Sequence, residues 1–499
     1  MSMKKLAAIF LLIMMVIMLI ITSCTGDTTK TPGDETSTAV NGEESPEAET
    51  TTEAVKLDVP SDKDYGGYTF TINGYQHTAY VGEHFAEELN GDLVNDAVYD
   101  RNAKAEELFN IKINTIIGTW GNDEARSLVT RSVMAGDEEY DMFTGNTYNM
   151  TFLSAEGYFK RVTDVPYIDY TNPWWNEYIY RELSVGENVY LMTGDIALSN
   201  YGQIGCIFFN KGYIEDYNLE NPYQLVNDDE WYCDKMISMV KDFYVDVNGN
   251  GQRDGTQESA DDITYTEDLY GIYSCQASVF EIANHWVPVT TKDADNYPEI
   301  TYYSERTASM FEKLKEFFIN SNGSLCPDGW TSYQVFTTGG CVFMPHNIHQ
   351  TTYALMRESN VDYGFVPIPK YDENQENYRT YGGGLVVAVP VTVTNPERTG
   401  MVMETLAYYG KQFVYPAYVE KTITQKGTRD NEAQKMLEII LDSVYYNFGV
   451  AFSGFQGYGY SLLEYFKASQ GFISYYESMT NAATAELITY ADKILALEQ

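Results

Sequence analysis

Basic residues are scarce in this chain of 499 residues, which has 32 Lys and Arg against 72 Asp and Glu and a formal net charge of −40. Phosphate recognition needs a basic face, so this deficit argues against nucleic-acid binding. It argues equally against adsorption to an anionic membrane surface. We therefore expect no nucleic acid among the partners. The charge suits an exported, soluble protein that repels its neighbours.

Cysteine is also rare, and apart from Cys24 the chain has only five. These are Cys206, Cys233, Cys275, Cys326 and Cys341. The number is odd and no CxxC spacing occurs, so neither a zinc site nor a full disulfide framework is indicated. The sequence allows one disulfide but does not assign its two cysteines. The five histidines are scattered; His346 and His349 lie three apart without an obvious third ligand, which favours loop or cleft-wall roles.

Catalytic motifs are missing as well. No GxSxG elbow, HExxH pair or Walker loop occurs in the sequence. The run Gly382–Gly384 lacks the GxGxxG pattern and a following helix, so a phosphate cradle is not indicated. Acidic residues are so abundant that the sequence does not exclude a pair of catalytic carboxylates of the glycosidase type. We expect a protein that is not an enzyme and needs no catalytic residue.

The long apolar run is confined to the N-terminus. Lys4 and Lys5 precede the run Leu6–Ile21, which ends in Thr22-Ser23-Cys24. This order is typical of a secretory signal peptide, residues 1–23, and the cysteine after small residues resembles a lipobox. By that resemblance Cys24 becomes the first residue and carries the lipid. The alternative is an anchor helix that is never cut, because the length of this apolar run is close to the about 17–25 residues that a membrane span needs. Either way we expect attachment to the extracellular face of the cell membrane.

Residues 24–61 form the lipidated cysteine and an acidic, Thr-rich leash. This segment nearly lacks large apolar residues and cannot offset its ordering entropy, so we expect it to be disordered. The fold should begin near Asp64. More than 400 residues remain, which exceeds the size at which one core keeps growing, so two lobes are expected.

The first part of the fold alternates strands with helices. The pattern predicts strands at Tyr68–Tyr75, Asn110–Asn114 and Tyr140–Phe143, with helices at Asp96–Phe109 and Ala125–Ala135. Such alternation predicts βαβ units and a mostly parallel sheet, hence an α/β fold. Ligands of such sheets bind beyond the carboxyl ends of the strands.

The later elements are more mixed. The sequence predicts two strand-like runs within 188–210, helices at Pro222–Tyr244 and Met310–Ile319, strands at Cys341–Met344, Tyr363–Pro367 and Leu385–Val389, and mainly helix from Pro396 onward.

One loop has the spacing of an EF-hand-type calcium site. Oxygen-bearing side chains stand at positions 1, 3, 5 and 9, position 7 donates a backbone carbonyl, and Gly251 allows the sharp turn at position 6. The metal-ligand candidates are Asp246, Asn248, Asn250, Gln252 and Asp254. We expect bound Ca²⁺ with a structural role; the alternative is a polar Asn-Gly turn cluster without metal.

The twelfth position of this loop departs from the motif. Gln257 replaces the usual bidentate glutamate, and Glu258 comes one residue late. The sequence offers Asp261 or Asp262 as the missing carboxylate.

Several stretches resemble the extracellular solute-binding lipoproteins of bacterial ABC importers, particularly the sugar-binding type. They follow one order along nearly all of the chain after the leash: Asn95–Asn102, Phe109–Ile113, Phe208–Lys211, Leu219–Tyr223, Trp231, the Asp246 loop with Tyr270-Gly271, Asp362–Lys370, Pro416–Tyr418 and Arg429-Asp430.

The resemblance implies a two-lobed, periplasmic-binding-protein-like fold of type II with a ligand cleft between the lobes. It places lobe 1 at 62–195 plus 370–420, and lobe 2 at 205–366 plus 421–499 with the calcium-type loop 246–257. The hinges are expected near Met192–Gly205 and Pro367–Tyr381. Ligand binding would favour lobe closure.

The implied function is capture of a sugar or oligosaccharide and its delivery to an ABC-type permease, by a protein expected to be monomeric. An exported glycoside hydrolase and a surface sensor or adhesion protein are the alternatives. Sugar sites combine flat apolar faces with planar polar groups. The ligand candidates at expected strand ends and hinges are Asn73, Tyr75, Asn146, Tyr148, Asp195, Gln276, Trp286, Asn347, Tyr381 and Gly383. The pair Trp174-Trp175 is more typical of packing.

Overall fold

The fold alternates short strands with helices. The structure, a computed structural model, describes residues 55–75, 82–118, 122–274, 286, 288–327, 331–425, 428–429, 431–451, 465 and 470–497. The longer strands are β1 (Tyr68–Tyr75), β2 (Ile111–Gly118), β3 (Phe143–Gly145), β4 (Gly205–Asn210), β8 (Leu269–Tyr273), β12 (Cys341–Asn347), β13 (Tyr363–Pro367) and β15 (Val386–Ala388).

Short strands complete the numbering. They are β5 (Tyr244–Val245), β6 (Gln257–Glu258), β7 (Thr264–Tyr265), β9 (Thr290–Lys292), β10 (Pro298–Ile300), β11 (Ser324–Leu325), β14 (Thr380–Tyr381), β16 (Thr424–Gln425), β17 (Thr428–Arg429) and β18 (Val444–Tyr445).

The α-helices lie around these strands. They are α1 (Leu93–Phe109), α2 (Asn122–Ala135), α3 (Thr147–Ala155), α4 (Glu177–Leu183), α5 (Ser199–Gly202), α6 (Lys211–Asp216), α7 (Pro222–Asn227), α8 (Cys233–Val240), α9 (Glu305–Lys315), α10 (Ser332–Thr337), α11 (Ala354–Glu358), α12 (Pro396–Tyr409), α13 (Tyr415–Ile423), α14 (Asn431–Asp442), α15 (Phe448–Ala451) and α16 (Phe472–Ala496). The π-helical turns Glu316–Asn320 and Gly410–Val414 extend α9 and α12, and 3₁₀ turns lie at Val162–Asp164 and Ile348–Thr352.

The first lobe is built on parallel pairing of β1 with β2, with α1 as the crossover. Helix α1 begins after Asp92, whose carboxylate accepts the N–H groups of Val94 and Asn95, as an N-cap should. It ends where Asn110 takes the left-handed conformation at φ 48°. The predicted strand and helix in this region are confirmed within a few residues.

Strand β3 pairs antiparallel with the much later β15 in a separate two-stranded sheet. A single bridge, between Ile72 and Met142, links β1 to the segment that leads into β3. Side chains from these strands and from α1 and α12 form a buried core that includes Phe70, Phe109, Met142, Val387 and Leu406. Burying each such side chain stabilises the fold by about 1.5–3 kcal/mol.

The second lobe has a mixed six-stranded sheet of order β11-β8-β12-β4-β13, with β5 beside β8. Strand β12 is parallel to β8 and antiparallel to β4, which is itself antiparallel to β13. Both faces are covered by helices, so the strands read as nearly continuous apolar runs; Phe208, Phe343 and Phe365 are fully buried.

Two chain segments that link the lobes lie side by side. The first is Ser199–Gly205, inside the predicted hinge range, and the second is Thr380–Leu385, at the edge of the other predicted range. They join through a bridge between Ile204 and Gly382. The backbones are so close that a Cβ at Gly384 would lie 2.9 Å from the Cα of Asn200, so glycine is required there.

The expected helix Pro222–Tyr244 is divided. Helices α7 and α8 are separated because Asp229 adopts a left-handed conformation at φ 59° and Trp231 turns into the core. The indole N–H of Trp231 donates to the carbonyl of Pro367, which ties the break to β13. Periodicity alone did not reveal this interruption.

Two other expectations differ from the structure. Within 188–210 only β4 is a regular strand, and the earlier part forms isolated bridges such as Met192 with Val387. The segment from Lys370 to Arg379, expected in lobe 1, contacts the second lobe: the Lys370 N–H donates to Trp231, and Arg306 pairs with Asp372. Side-chain contacts over long sequence distances determine this placement.

Among the residues that the structure describes, no helix has both the length and the apolar character required to cross a bilayer. The expected signal peptide, Cys24 and most of the expected leash lie outside the described residues.

Candidate functional site

The first wall of the candidate site is the N-terminus of α3, directly after β3. Asn146 caps this helix, because its side-chain oxygen accepts the N–H of Asn149 at 2.9 Å. The Tyr148 ring lies half-buried beneath the Arg126 guanidinium, 4.5 Å from the ring centroid. Strand β3 thus delivers a polar turn and an aromatic face at its carboxyl end, as the sequence predicts.

Asn73 lies at the end of β1 but is only 3% exposed. Its amide nitrogen donates to the Thr144 carbonyl at 2.8 Å, and its oxygen accepts the Thr144 N–H. Both ends of the amide therefore hold β1 against β3. The side chain of Tyr75, the other candidate here, lies outside the described residues, and so does Gln276.

The second wall is formed where the two linking segments meet β12. The Asn347 amide donates to the side-chain oxygen of Gln203 at 2.8 Å, and the Gly383 N–H donates to the Gln203 carbonyl at 2.9 Å. Gln203 therefore connects two sequence-predicted candidates. No sequence pattern indicates this role for Gln203, because the composition of 188–210 favours strands.

Tyr381 joins the two walls. Its hydroxyl lies 3.3 Å from the Thr147 hydroxyl in α3. Its ring lies edge-on to those of Tyr445 and Tyr446, with centroids 6.2 and 6.0 Å away. Five predicted candidates are thus brought together around the linking segments: Asn146, Tyr148, Asn347, Tyr381 and Gly383.

A cavity of about 210 Å³ lies between the start of α1 and the linking segment Ser199–Gly205, and none of these five candidates lines it. We call it the front cavity; its lining includes Gly82, Asn95, Ser199, Gly202, His349 and Tyr353. The His349 ring nitrogen lies 3.2 Å from the Tyr353 hydroxyl. The lining combines aromatic rings, an amide and hydroxyls with apolar side chains and the paired charges of Asp92 and Lys421, which suits hydrogen bonding to a polar ligand.

A buried carboxylate positions the floor of the front cavity. Glu83 is 4% exposed, and its two oxygens accept the N–H and the hydroxyl of Ser199 at 2.8 and 2.7 Å. Burial raises the pKa of Glu83 to about 7, although these hydrogen bonds and the nearby Arg101 oppose the rise. The Ser199 hydroxyl also accepts the Leu385 N–H, so one carboxylate ties both linking segments to the first lobe.

Asp195 lies just before the linking segment Ser199–Gly205 and is not among the residues that line the front cavity. It is 6% exposed, accepts the Tyr201 hydroxyl at 2.6 Å and faces the Lys411 ammonium at 3.7 Å. Burial raises the pKa of Asp195 to about 6, while Lys411 and Tyr201 act to lower it. Asp195 borders a separate cavity of about 170 Å³, which we call the rear cavity, with Trp175, Asn200, Lys411, Tyr415 and Leu441.

The remaining tryptophan candidates have packing partners. Trp286 is 5% exposed, and its indole N–H donates to the Pro369 carbonyl at 2.7 Å. Trp174 and Trp175 both donate their indole N–H groups to Glu404, at 2.9 and 2.7 Å. The indole N–H of each of these tryptophans is therefore bonded within the protein.

The calcium-type loop forms a compact turn on the second lobe. The Asp246 carboxylate accepts the N–H groups of Gly249 and Gly251 at 2.7 and 2.8 Å. The Asn248 amide donates to Asp254 at 2.7 Å and to Glu267 at 2.9 Å. Glu267 was not a candidate from the sequence, because it lies far beyond position twelve of the motif.

The carboxylates proposed from the sequence lie elsewhere. Glu258 belongs to β6, and Asp261 and Asp262 are exposed at the tip of the β6–β7 hairpin. Behind the loop, the Tyr244 hydroxyl lies 2.7 Å from both the Gln252 carbonyl and the Asp268 carboxylate. The other Asp268 oxygen is buried without a hydrogen-bond partner.

The sequence matches no known protein-family profile and no curated protein. Its fold does have solved counterparts. A galacto-N-biose/lacto-N-biose I-binding protein of an ABC transporter from Bifidobacterium longum, in complex with lacto-N-biose, has a TM-score of 0.56 at 13% identity, over 85% of this chain and 98% of that one.

Two further counterparts cover similar shares of the chain. An ABC substrate-binding protein from Listeria monocytogenes, in complex with cycloalternan, has a TM-score of 0.51 at 11% identity, over 87% of this chain and 98% of that one. The GacH receptor of Streptomyces glaucescens, solved unliganded and with acarbose, has a TM-score of 0.52 at 11% identity, over 86% and 98%.

These likenesses establish the class of fold. The chain has the two-lobed α/β architecture of type II periplasmic-binding-protein-like proteins, and the expectation from the sequence is confirmed. More particularly, its structural neighbours are ABC substrate-binding proteins of the sugar-binding type, which the resemblance had implied.

Proposed function

We propose that this chain is an extracellular solute-binding protein that captures a carbohydrate between its lobes and delivers it to an ABC-type permease. The proposal includes a lipid tether at Cys24 and a role for residues 24–61 as the leash that lets the binding domain reach the permease. The observation that carries it is the convergence of Asn347, Gln203 and Tyr381 at the linking segments of this fold. The sugar complexes of the structural neighbours support the ligand class.

The chemistry of the front cavity also supports binding over hydrolysis. A glycosidase needs two carboxyl groups that face the same glycosidic bond. Among the described residues that line the front cavity, Asp92 is the acidic one. Its carboxylate already caps α1 and accepts the Lys421 ammonium at 2.7 Å. An amide, a hydroxyl and an aromatic face can instead hold sugar hydroxyls and C–H-rich ring faces.

The proposal is tested by calorimetric titration of the purified domain with mono- and oligosaccharides, in parallel with a search for sugar hydrolysis. For a sugar that binds, Tyr381→Ala is expected to raise Kd about 10–30-fold, because an aromatic contact and a hydroxyl are both lost. Tyr381→Phe should retain part of the affinity. Tyr217→Ala, an exposed tyrosine on the second lobe, is the matched control and should bind as the wild type does.

Two outcomes would reject this function. One is that no saccharide binds while peptides or other solutes do. The other is that the domain releases reducing ends from an oligosaccharide at a rate that depends on folded protein, which would favour the glycoside hydrolase.

We further propose that the loop around Asp246 binds Ca²⁺ as a structural ion. The donor set suits a hard cation, because Asp246, Asn248, Asn250 and Asp254 supply oxygens and Gln252 supplies a carbonyl. The contact between Asn248 and Glu267 supports Glu267 as the acidic ligand that the motif lacks at its twelfth position. The ion would brace the loop against β8 and take no part in sugar binding.

Calcium at about 2 mM is expected to raise the melting temperature by about 1–2 °C, as follows from a Kd of about 10⁻⁴–10⁻³ M and mass action. EDTA should reverse the shift. Glu267→Gln should abolish most of it, whereas the matched variant Glu258→Gln, on β6, should retain it. An equal calcium shift in Glu267→Gln and wild type would exclude Glu267 as a ligand, and no shift in the wild type would exclude the ion.

A further inference from the structure

The dipeptide Glu83-His84 is buried where the first lobe meets its linking segments. The two residues are 4% and 2% exposed, although Phe85, which follows them, is 43% exposed. The Asn102 side chain of α1 donates to the His84 carbonyl at 2.9 Å, and the His84 ring nitrogen Nε2 lies 3.0 Å from the Thr144 hydroxyl in β3. The dipeptide is therefore fixed to the first lobe by contacts with both a helix and a strand.

The Glu83 carboxylate begins a chain of hydrogen bonds that ends on the second linking segment. Its oxygens accept the N–H and the hydroxyl of Ser199, and the same hydroxyl oxygen accepts the Leu385 N–H at 2.9 Å. A hydrogen bond to an ionised group is about twice as strong as one between neutral groups, and it polarises the bond that follows it. The ionised form of Glu83 therefore holds both linking segments to the first lobe at one point.

A proton on Glu83 weakens this chain. The Ser199 hydroxyl has one hydrogen, which the ionised carboxylate accepts across 2.7 Å. When the carboxyl group is protonated, the added hydrogen competes with a Ser199 donor for the oxygen that carries it. The bonds that remain are between neutral groups, so they are weaker, and the bond from Leu385 loses the polarisation that the carboxylate supplies.

The surroundings of Glu83 let it bind a proton near neutral pH. Burial raises the pKa of Glu83 to about 7, although its hydrogen bonds and Arg101 oppose the rise. Arg101 approaches from α1, and its guanidinium lies 3.5 Å from the Glu83 backbone carbonyl. His84 is uncharged at this pH, because burial lowers its pKa to about 3. The acidic and basic side chains among the described residues that line the front cavity are Asp92, His349 and Lys421. Asp92 and Lys421 pair with each other at 2.7 Å.

We infer that Glu83 is a positioning residue for the linking segments, and that its ionisation determines how firmly both segments are held to the first lobe. When Glu83 takes up a proton, Ser199 and Leu385 are held less firmly and the linking segments gain freedom to move. Ligand capture by lobe closure must then order these segments at a larger cost, so affinity falls as the pH falls. This consequence for affinity rests on the proposed function, whereas the hydrogen-bond chain does not.

Hydrogen exchange followed by mass spectrometry tests the inference on the folded chain without any ligand. Peptides covering 196–205 and 380–388 are compared at pH 6 and pH 8, after correction for the intrinsic pH dependence of amide exchange. In the wild type we expect the protection of both peptides to fall about fivefold from pH 8 to pH 6, as the loss of one charge-assisted bond implies. Glu83→Gln has nearly the same shape and does not titrate, so it should show no such fall.

Two further variants test the path of the effect. Glu87→Gln changes an exposed carboxylate of the same segment and should keep the wild-type response. Ser199→Ala removes the hydroxyl between Glu83 and Leu385, so the peptide 380–388 should lose its response to pH. Melting curves check that each variant is folded, and Ser199→Ala decides the question if Glu83→Gln does not fold.

Asp195 is the second buried carboxylate beside this linking segment. It accepts the Tyr201 hydroxyl and faces Lys411, and it has no place in the chain that leads to Leu385. Asp195→Asn should therefore keep the response of the peptide 380–388. Loss of that response in Asp195→Asn, or its persistence in folded Glu83→Gln, would overturn the inference. Equal protection of the wild type at the two pH values would also overturn it.

Overall stability should change in the opposite direction from the protection of the linking segments. Folding raises the pKa of Glu83 from its ordinary 4.5 to about 7, so the folded chain binds this proton more tightly than the unfolded chain does. As the pH falls from 8 to 6, the wild type should therefore gain stability relative to Glu83→Gln. A loss of relative stability would contradict the assignment of the proton to Glu83.

The consequence for binding is measured separately. For a sugar that binds, the Kd of the wild type should rise about fivefold from pH 8 to pH 6, and that of Glu83→Gln should stay constant. A constant Kd in the wild type would contradict the inference. If no sugar binds, the proposed function fails, while the exchange measurements still decide whether Glu83 controls the linking segments.

Discussion

Replacement of Glu404 by alanine is expected to lower the free energy of unfolding by about 3–5 kcal/mol. The Glu404 carboxylate is 2% exposed and accepts three donors: the Asn172 amide at 2.8 Å and the indole N–H groups of Trp174 and Trp175. Alanine would leave these buried donors unpaired, at a cost of about 1–3 kcal/mol for each unsatisfied group. Denaturant unfolding, followed by tryptophan fluorescence, measures the loss.

Two variants control this result. Glu404→Gln keeps one acceptor oxygen and should lose less than alanine does. Glu397→Ala lies on the same helix, α12, but its side chain is 44% exposed, so its change should stay within about 0.5 kcal/mol. If Glu404→Ala were no more destabilising than Glu397→Ala, the carboxylate would not be holding the tryptophan pair.

Arg398→Met should be comparably destabilising, by about 3–5 kcal/mol, because it breaks a buried ion pair and leaves one charge behind. The Arg398 guanidinium lies 3.1 Å from the Asp141 carboxylate and 3.4 Å from the centroid of the Tyr68 ring. Asp141 also accepts the Tyr68 hydroxyl at 2.9 Å and the Thr71 N–H at 2.8 Å. These contacts join β1, the segment before β3, and α12.

The pH dependence separates charge loss from packing loss in Arg398→Met. Burial raises the pKa of Asp141 above its ordinary value, while the hydrogen bonds and Arg398 oppose the rise. Without Arg398 the pKa should rise further. A carboxyl group whose pKa is raised by folding costs stability as the pH rises through that pKa. The destabilisation relative to wild type should therefore be larger at pH 8 than at pH 4. If the destabilisation of Arg398→Met did not depend on pH, it would come from lost packing alone.

The elements with strong local patterns were predictable. The β1 strand, the α1 helix and the β2 strand follow from alternation, helical periodicity and the Asn110 stop, and they are present within a few residues. The break between α7 and α8 was not predictable, because Trp231 leaves the helix to bond Pro367, which is far away in sequence. Local propensity is overridden wherever such a distant contact is stronger.

The candidate site shows the same division. The strand-end rule led to Asn146, Tyr148 and Asn347, which lie around the linking segments. The same rule also led to Asp195, which lines the rear cavity instead. No local sequence pattern shows which cavity a side chain near a linking segment will border. The pairing of Gln203 with Asn347 spans 144 residues, and no short motif encodes a contact at that distance. Glu267 was missed for the same reason, since it approaches the calcium-type loop across a hairpin.

The antiparallel pairing of β3 with β15 has a consequence for how the chain is made. Strand β3 is complete at Gly145, but its partner starts only at Val386, after all six strands of the second sheet have been synthesised. At about 5–20 residues per second, the ribosome needs on the order of ten seconds or more to cover that distance. During that time the first lobe has an unpaired edge and an incomplete core. A nascent chain stopped before Val386 is therefore expected to remain protease-sensitive in its N-terminal half, whereas one that extends beyond α12 acquires protection there.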